Sequence, residues 1–146
     1  MVPLPRSRLV IWLVSRLNRF WYRLTGGRIG GTAGSMPVLL LTTTGRRSGK
    51  PRTAPLFYLE DGDRLVVVAS NVGQDDDPGW WYNLQTNPAA TVQIGRTLTP
   101  VRARKANAIE RQHLWSQFVA RHPAYNVYRS RTSREFPVVV LERMAT

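Results

Sequence analysis

The nine residues Thr44-Gly45-Arg46-Arg47-Ser48-Gly49-Lys50-Pro51-Arg52 carry the densest chemistry in the chain. Two glycines free the backbone to aim successive N–H groups into one concavity. Ser48 adds a hydroxyl donor, and four cations surround it. Those are the parts of a phosphate site. The stretch nearly spells a P-loop but departs from it twice. Only three residues separate Gly45 from Gly49, and Lys50 is followed by Pro51, not by Ser or Thr. It also joins strand to strand, so no helix N-terminus is expected behind the anion. A nucleotide triphosphatase is disfavoured. A basic, solvated hairpin turn is the other reading of the same residues.

Elsewhere reactive side chains are sparse. There is no cysteine, which excludes disulfides, thiolate catalysis and Cys-based metal centres. His113 and His122 are the only histidines and lack a carboxylate at ligand spacing, so no metal is expected. Asp75-Asp76-Asp77 reads as a capping and turn segment, since three consecutive carboxylates do not converge on one side of the chain. No Ser-His-Asp arrangement can be argued. An enzyme so poor in reactive groups borrows its chemistry from a cofactor.

The elements that would position the hairpin read as mainly β. With 146 residues and 42% hydrophobic content, one domain with one core is expected. Strands are expected at Val38 to Thr44, Arg52 to Leu59, Arg64 to Ser70, Thr91 to Ile94, Leu98 to Arg104 and Pro137 to Glu142. Pro55 cannot donate a ladder hydrogen bond, so its strand lies at an edge or carries a bulge. Arg64 to Ser70 is nearly all apolar, as in a strand buried on both faces. Asp61-Gly62 and Gly95-Arg96 mark hairpin turns. Asp77-Pro78 reads as an N-cap and first helical residue opening a helix through Trp80, Trp81, Tyr82 and Leu84. Further helices are expected at Ala108 to Arg121 and from Pro123. About six strands with short hairpins and few helices imply an α+β protein, mainly β, built on a small closed or split antiparallel barrel.

The N-terminus reads differently. Leu9, Trp12, Leu13, Leu17, Phe20, Trp21 and Leu24 recur at helical spacing, with Arg8, Arg16, Arg19 and Arg23 on another side. A Leu/Trp stripe opposite an Arg stripe suits a helix lying in lipid headgroups, although a helix packed on its own domain has the same pattern. Leu9 to Ser15, the longest charge-free run there, falls far short of the roughly 20 residues that span a bilayer. A Gly-dense connector runs from Gly26 to Gly34. The chain therefore divides into residues 1–34, an amphipathic helix and connector, and residues 35–146, the barrel. Without a recognisable export signal the expected location is the cytoplasm, with peripheral contact at the membrane's inner face through residues 4–24. The net charge of +12, almost all arginine, calls for an anionic partner.

The segment Leu40-Leu41-Thr42-Thr43-Thr44 through Arg52-Thr53-Ala54-Pro55-Leu56 resembles the signature of the deazaflavin-dependent nitroreductase family. The likeness continues in Val67-Val68-Ala69-Ser70, in Trp80 to Pro88, in Pro123 to Tyr128 and in Pro137 to Val140. It covers nearly the whole chain from Phe20 onward and runs closest to a mycobacterial nitroreductase and quinone reductase, which implies an actinobacterial enzyme. The resemblance implies a split β-barrel binding the deazaflavin coenzyme F-420, with a hydride passed from the reduced coenzyme to a menaquinone-like quinone or a nitroaromatic acceptor. Arg46, Arg47, Ser48, Gly49 and Arg52 would hold the coenzyme's phosphate and acidic tail. Pro55, Leu56, Phe57, Ala69, Ser70 and Asn71 would face the ring, with Pro78, Gly79 and Trp80 packed near it. Ser70, Tyr125 and Tyr128 are the expected catalytic residues, the two tyrosines lying on one helix side at i, i+3 spacing.

Three positions depart from that pattern. Phe57 and His122 stand where the similar member has tyrosine, and Asn71 stands where it has lysine. Nitroimidazole activation is thereby put in doubt more than the cofactor. An FMN-binding barrel oxidoreductase, a non-catalytic cofactor carrier and a basic nucleic-acid-binding barrel remain alternatives. Against nucleic acid, the arginines are scattered and the aromatics cluster in the helical half.

Overall fold

The computed structural model describes Arg16, Thr32–Ala33 and residues 36–144. The amphipathic N-terminal stretch, apart from the helical Arg16, lies outside the described residues. Eight strands form the sheet: β1 (Thr32–Ala33), β2 (Met36–Thr44), β3 (Pro51–Phe57), β4 (Leu59–Asp61), β5 (Arg64–Val68), β6 (Ala89–Ile94), β7 (Thr97–Lys105) and β8 (Val138–Arg143). Beyond the helical Arg16, the described residues form three helices: α1 (Gly79–Thr86), α2 (Ala108–Arg121) and α3 (Ala124–Ser130). A 3-10 turn covers Asn71–Gly73.

The sheet runs β1-β2-β6-β7-β8-β5-β4, with β3 also paired to β2, and every pairing is antiparallel. Strands β3 and β4 stand at opposite ends of this order, yet only Tyr58 separates them in sequence. One run of chain therefore closes the sheet on itself, its first half paired to β2 and its second half to β5. Between β3 and β5 no ladder forms, and the barrel is split there. The expected small, split antiparallel barrel is the architecture found.

Strand alternation explains the core. Leu39 and Leu41 of β2, Leu65 and Val67 of β5, and Val139 and Leu141 of β8 fill the barrel interior. The intervening Val66, Val68, Val138 and Val140 pack instead against Leu114 and Phe118 of α2 and Tyr125 and Tyr128 of α3. This accounts for the unbroken apolar runs of β5 and β8: one face meets the barrel and the other a helical layer. Helix α1 plugs the interior with Trp80, Trp81 and Leu84. Helix α2 begins where expected because Asn107 and Glu110 form a reciprocal capping box, worth about 1 kcal/mol.

Three expectations about boundaries are corrected. The strand expected over Arg52 to Leu59 breaks at Tyr58, where it changes partner. Pro55 indeed lies on an edge, opposite Leu40, since β3 pairs with β2 alone. Pro78 is the N-cap of α1, not its first residue, and α1 has no side-chain cap. Asp77 is drawn away to Arg134, at 2.7 Å. The glycine-dense stretch also contains a strand, for Thr32 pairs with Pro37 and Ala33 with Met36.

Candidate functional site

The hairpin joining β2 to β3 closes at Thr44 and Pro51. The Gly45 N–H donates to the Lys50 carbonyl, the Gly49 N–H to the Gly45 carbonyl, and the Lys50 N–H to Ser48 Oγ. The loop is thus folded on its own backbone. A Cβ on Gly45 would sit 3.1 Å from the Lys50 carbonyl oxygen and 2.7 Å from Ser48 Oγ, so a side chain there would displace the turn. Buried Asn83 of α1 steadies the hairpin from inside, accepting from the Arg46 N–H at 3.0 Å and donating to Thr43 Oγ1 at 3.0 Å. The Arg46 guanidinium lies 4.8 Å above the Tyr82 ring.

Gly45, Arg46, Arg47, Ser48 and Arg52 line a cavity of about 440 Å³ together with Thr53, Ala54, Gly79, Trp80 and Asn83. Gly79 and Trp80 open α1, so a helix N-terminus does contribute to this cavity, contrary to the sequence expectation. It comes from a distant part of the chain, which the local reading of a strand-to-strand turn could not reveal. Its positive end adds to the guanidinium field.

A second chamber of about 180 Å³ occupies the split between β3 and β5. Pro55, Leu56, Phe57, Ser70, Asn71, Pro78, Trp80, Tyr125 and Tyr128 all line it, with Ala54, Val68 and Val72. Ala54 and Trp80 belong to both linings, so the cationic cavity and the apolar chamber adjoin. Gly49 and Ala69 are in neither lining: Gly49 forms the exposed back of the turn with φ +69°, and Ala69 is buried in the barrel core.

Ser70, Tyr125 and Tyr128 converge. The two phenol rings meet edge to face at 5.3 Å, and Tyr125 shares a hydrogen bond with Ser70. Burial, then the neighbouring Tyr128, pushes the Tyr125 phenol well above its usual range, so it keeps its proton. His122, just past α2, stacks on Phe57 at 4.1 Å and on Tyr125 at 4.7 Å. Burial lowers its affinity for a proton, to a pKa of about 4, and leaves it neutral near pH 7. Its Nε2 is buried without a partner among the described residues. Two of the three departing positions, Phe57 and His122, are therefore in mutual contact, with Phe57 in the chamber wall and His122 buried behind it.

Sequence reasoning missed what shapes the Ala69–Asp77 loop. Asn71 and Val72 both adopt positive φ, +48° and +49°, which for a β-branched valine costs about 1–3 kcal/mol. Arginines from far along the chain impose this shape. Arg134 donates from Nε to the Gln74 carbonyl at 2.8 Å, from Nη2 to the Ser70 carbonyl at 2.8 Å, and from Nη1 to the Ala69 carbonyl and the Asp77 carboxylate. Arg131 donates to the Val72 carbonyl at 3.0 Å. Gly73 passes so close to α3 that a Cβ would lie 2.5 Å from the Tyr128 carbonyl oxygen. No local motif announces these contacts, which span 57 to 65 residues for Arg134.

A cationic cradle adjoining an apolar chamber lined by two phenols fits a coenzyme with an anionic tail and a planar ring. Comparison with known proteins agrees. Residues 13–143 match the family model described as F420H(2)-dependent quinone reductase. An F420H(2)-dependent quinone reductase of Mycobacterium tuberculosis (strain ATCC 25618 / H37Rv) is 43% identical over 133 residues, 88% of this chain and 89% of that protein. A second protein of that strain, named a putative enzyme of this kind, is 42% identical over 106 residues, 73% of this chain and 89% of that protein. The solved F420-H2 dependent reductase FDR-A superposes with a TM-score of 0.67 at 38% identity, covering 73% of this chain and 94% of its own. A haem storage protein of Vibrio cholerae, TM-score 0.58 at 13% identity, shares the fold alone. The chain belongs to the family of F420H(2)-dependent quinone reductases, oxidoreductases whose cofactor is coenzyme F-420.

Proposed function

We propose that the two adjoining cavities form one bipartite coenzyme site, with the anionic tail on Arg46, Arg47, Ser48 and Arg52 and the ring in the chamber of Pro55, Leu56, Phe57, Ser70, Asn71, Pro78 and Trp80. The carrying observation is the shared lining of Ala54 and Trp80, which joins a guanidinium cradle to an apolar slot at the distance of one residue. Arg52, Ala54 and Leu56 alternate along β3, so one strand face leads from the cradle to the chamber. When bound, the reduced deazaflavin supplies a hydride.

The chain's own groups then do three things. The arginines fix the tail, and so the ring's register, at low entropic cost. The apolar walls exclude water from the reacting face. Tyr125 Oη–H and Ser70 Oγ–H hold a quinone oxygen by hydrogen bonding, and stabilise it as negative charge builds there. Because burial disfavours the phenolate, Tyr125 acts by donating a hydrogen bond, and the final proton comes from solvent. Tyr128 supports the Tyr125 ring from its edge. A nitroaromatic acceptor would use the same donors.

The acceptor we favour is a menaquinone-like quinone, reached by peripheral contact of residues 4–24 with the inner face of the membrane. The Leu/Trp and Arg stripes of that stretch support this reading, and no helix among the described residues is long and apolar enough to cross a membrane. Three measurements test the proposal. Fluorescence titration with coenzyme F-420 and FMN should give tighter binding of the former, and menadione should support steady oxidation of the reduced coenzyme. Binding without turnover would make the protein a carrier. Deleting residues 1–25 should slow turnover of a long-tailed quinone more than of menadione, and equal losses would refute membrane docking.

A further inference from the structure

A third cleft, of about 500 Å³, lies between α2 and the segment that follows α3. It shares no lining residue with the two cavities of the coenzyme site. Ala108, Arg111, Gln112, Trp115 and Ser116 present one stripe of α2 at helical spacing, facing Arg129 and residues 132–136. Trp115 and Phe136, packed edge to face at 6.2 Å, make an aromatic floor.

The charges in this cleft are unbalanced. Arg134 is spent on Asp77 and on the carbonyls of the Ala69–Asp77 loop. Arg111 donates to the Phe136 carbonyl and meets Glu135 at 3.3 Å. Arg129, exposed, rests its guanidinium 5.8 Å above the Trp115 ring. Two guanidiniums thus face a single carboxylate, which is itself 66% exposed. Burial disfavours the charged form of Arg111, Glu135 offsets part of that, and the neighbouring Arg129 adds a smaller repulsion. The exposed Ser133 hydroxyl adds a donor on the same wall.

We infer that this cleft binds a phosphate group, held by Arg111 and Arg129 with Ser133 and carried by a free organic phosphate or by an anionic lipid headgroup. The non-bridging oxygens of one phosphate can accept from both guanidiniums at once, whereas Glu135 pairs with Arg111 alone. The aromatic floor accepts the apolar or planar body attached to that phosphate. The assignment does not depend on the coenzyme reading, because different residues carry it.

The test uses the full chain carrying Arg46→Gln and Arg52→Gln, which weakens competing binding at the hairpin. Calorimetric titration with inorganic pyrophosphate and co-sedimentation with phosphatidylglycerol vesicles, against phosphatidylcholine vesicles, form its two arms. Adding Arg129→Glu should weaken the observed binding by roughly tenfold or more, the equivalent of one charge-assisted hydrogen bond. Arg129 is exposed and its guanidinium only rests on the Trp115 ring, so this variant folds even if Arg111→Gln does not. Arg129-dependent vesicle retention assigns a lipid headgroup. Arg129-dependent pyrophosphate binding, with vesicle retention that does not change on Arg129→Glu, assigns a free phosphate. Binding in neither arm, or binding indifferent to Arg129→Glu, overturns the inference.

Discussion

The Gly45–Lys50 hairpin and the Ala69–Asp77 loop line two adjoining cavities, yet they are built on opposite principles. The hairpin is exposed and holds itself by short-range hydrogen bonds, and its cations are adjacent in sequence. The loop is partly buried and backbone-strained, and it keeps its shape because Arg131 and Arg134 grip its carbonyls from the far end of the chain. A charged tail tolerates a compliant cradle, since Coulombic attraction needs no fine register. A planar ring does not, because its reacting atom must meet the acceptor within a few tenths of an ångström. The difference separates binding by charge from positioning by shape.

That contrast makes the loop costly to disturb and the hairpin cheap. The largest expected effect is from Arg134→Ala, which strands Asp77 and three carbonyls in a half-buried place. Thermal or urea unfolding should show a loss of about 3–5 kcal/mol, with turnover lost alongside. A smaller effect concerns His122. Between pH 6.5 and about 4 the unfolded chain takes up a proton that the buried ring refuses, so stability falls as pH drops through that window. The ceiling is about 3 kcal/mol, and His122→Phe should remove that part of the slope. Glu110 is separate: Arg104, the Asn107 N–H and Arg64 hold its carboxyl at about 2, so its contribution is lost only as pH falls from 4.5 towards that value. Gly73→Ala should cost about 2 kcal/mol, as overpacking against the Tyr128 carbonyl. Retained stability and turnover in Gly73→Ala would show that the loop is less constrained than its geometry requires. The hairpin arginines stand last, with stability changed by no more than about 0.5 kcal/mol when they are replaced.

The same contrast explains what the sequence disclosed. The barrel strands and the α2 boundaries were legible because periodicity and turn residues are local signals, whereas the Tyr125/Tyr128 pair was pointed out by the family resemblance. The cationic hairpin was legible because its donors are consecutive. The change of partner at Tyr58 was not, since a strand pairing first with β2 and then with β5 keeps one alternating pattern throughout. Nor was the role of Arg134 or Asn83: a lone arginine or asparagine signals nothing until the fold brings it to an unpaired carbonyl or hydroxyl. The Asp77 cap failed for the same reason, because a distant guanidinium competed for the carboxylate.

The most direct test reverses the charge of the cradle alone. In a protein carrying Arg46→Glu and Arg52→Glu, fluorescence titration with coenzyme F-420 should show affinity reduced by roughly a hundredfold or more, as two charge-assisted contacts become repulsive, while the melting temperature stays near that of the parent. Unchanged affinity in the folded variant would contradict the account, for the coenzyme's tail would then be held somewhere else.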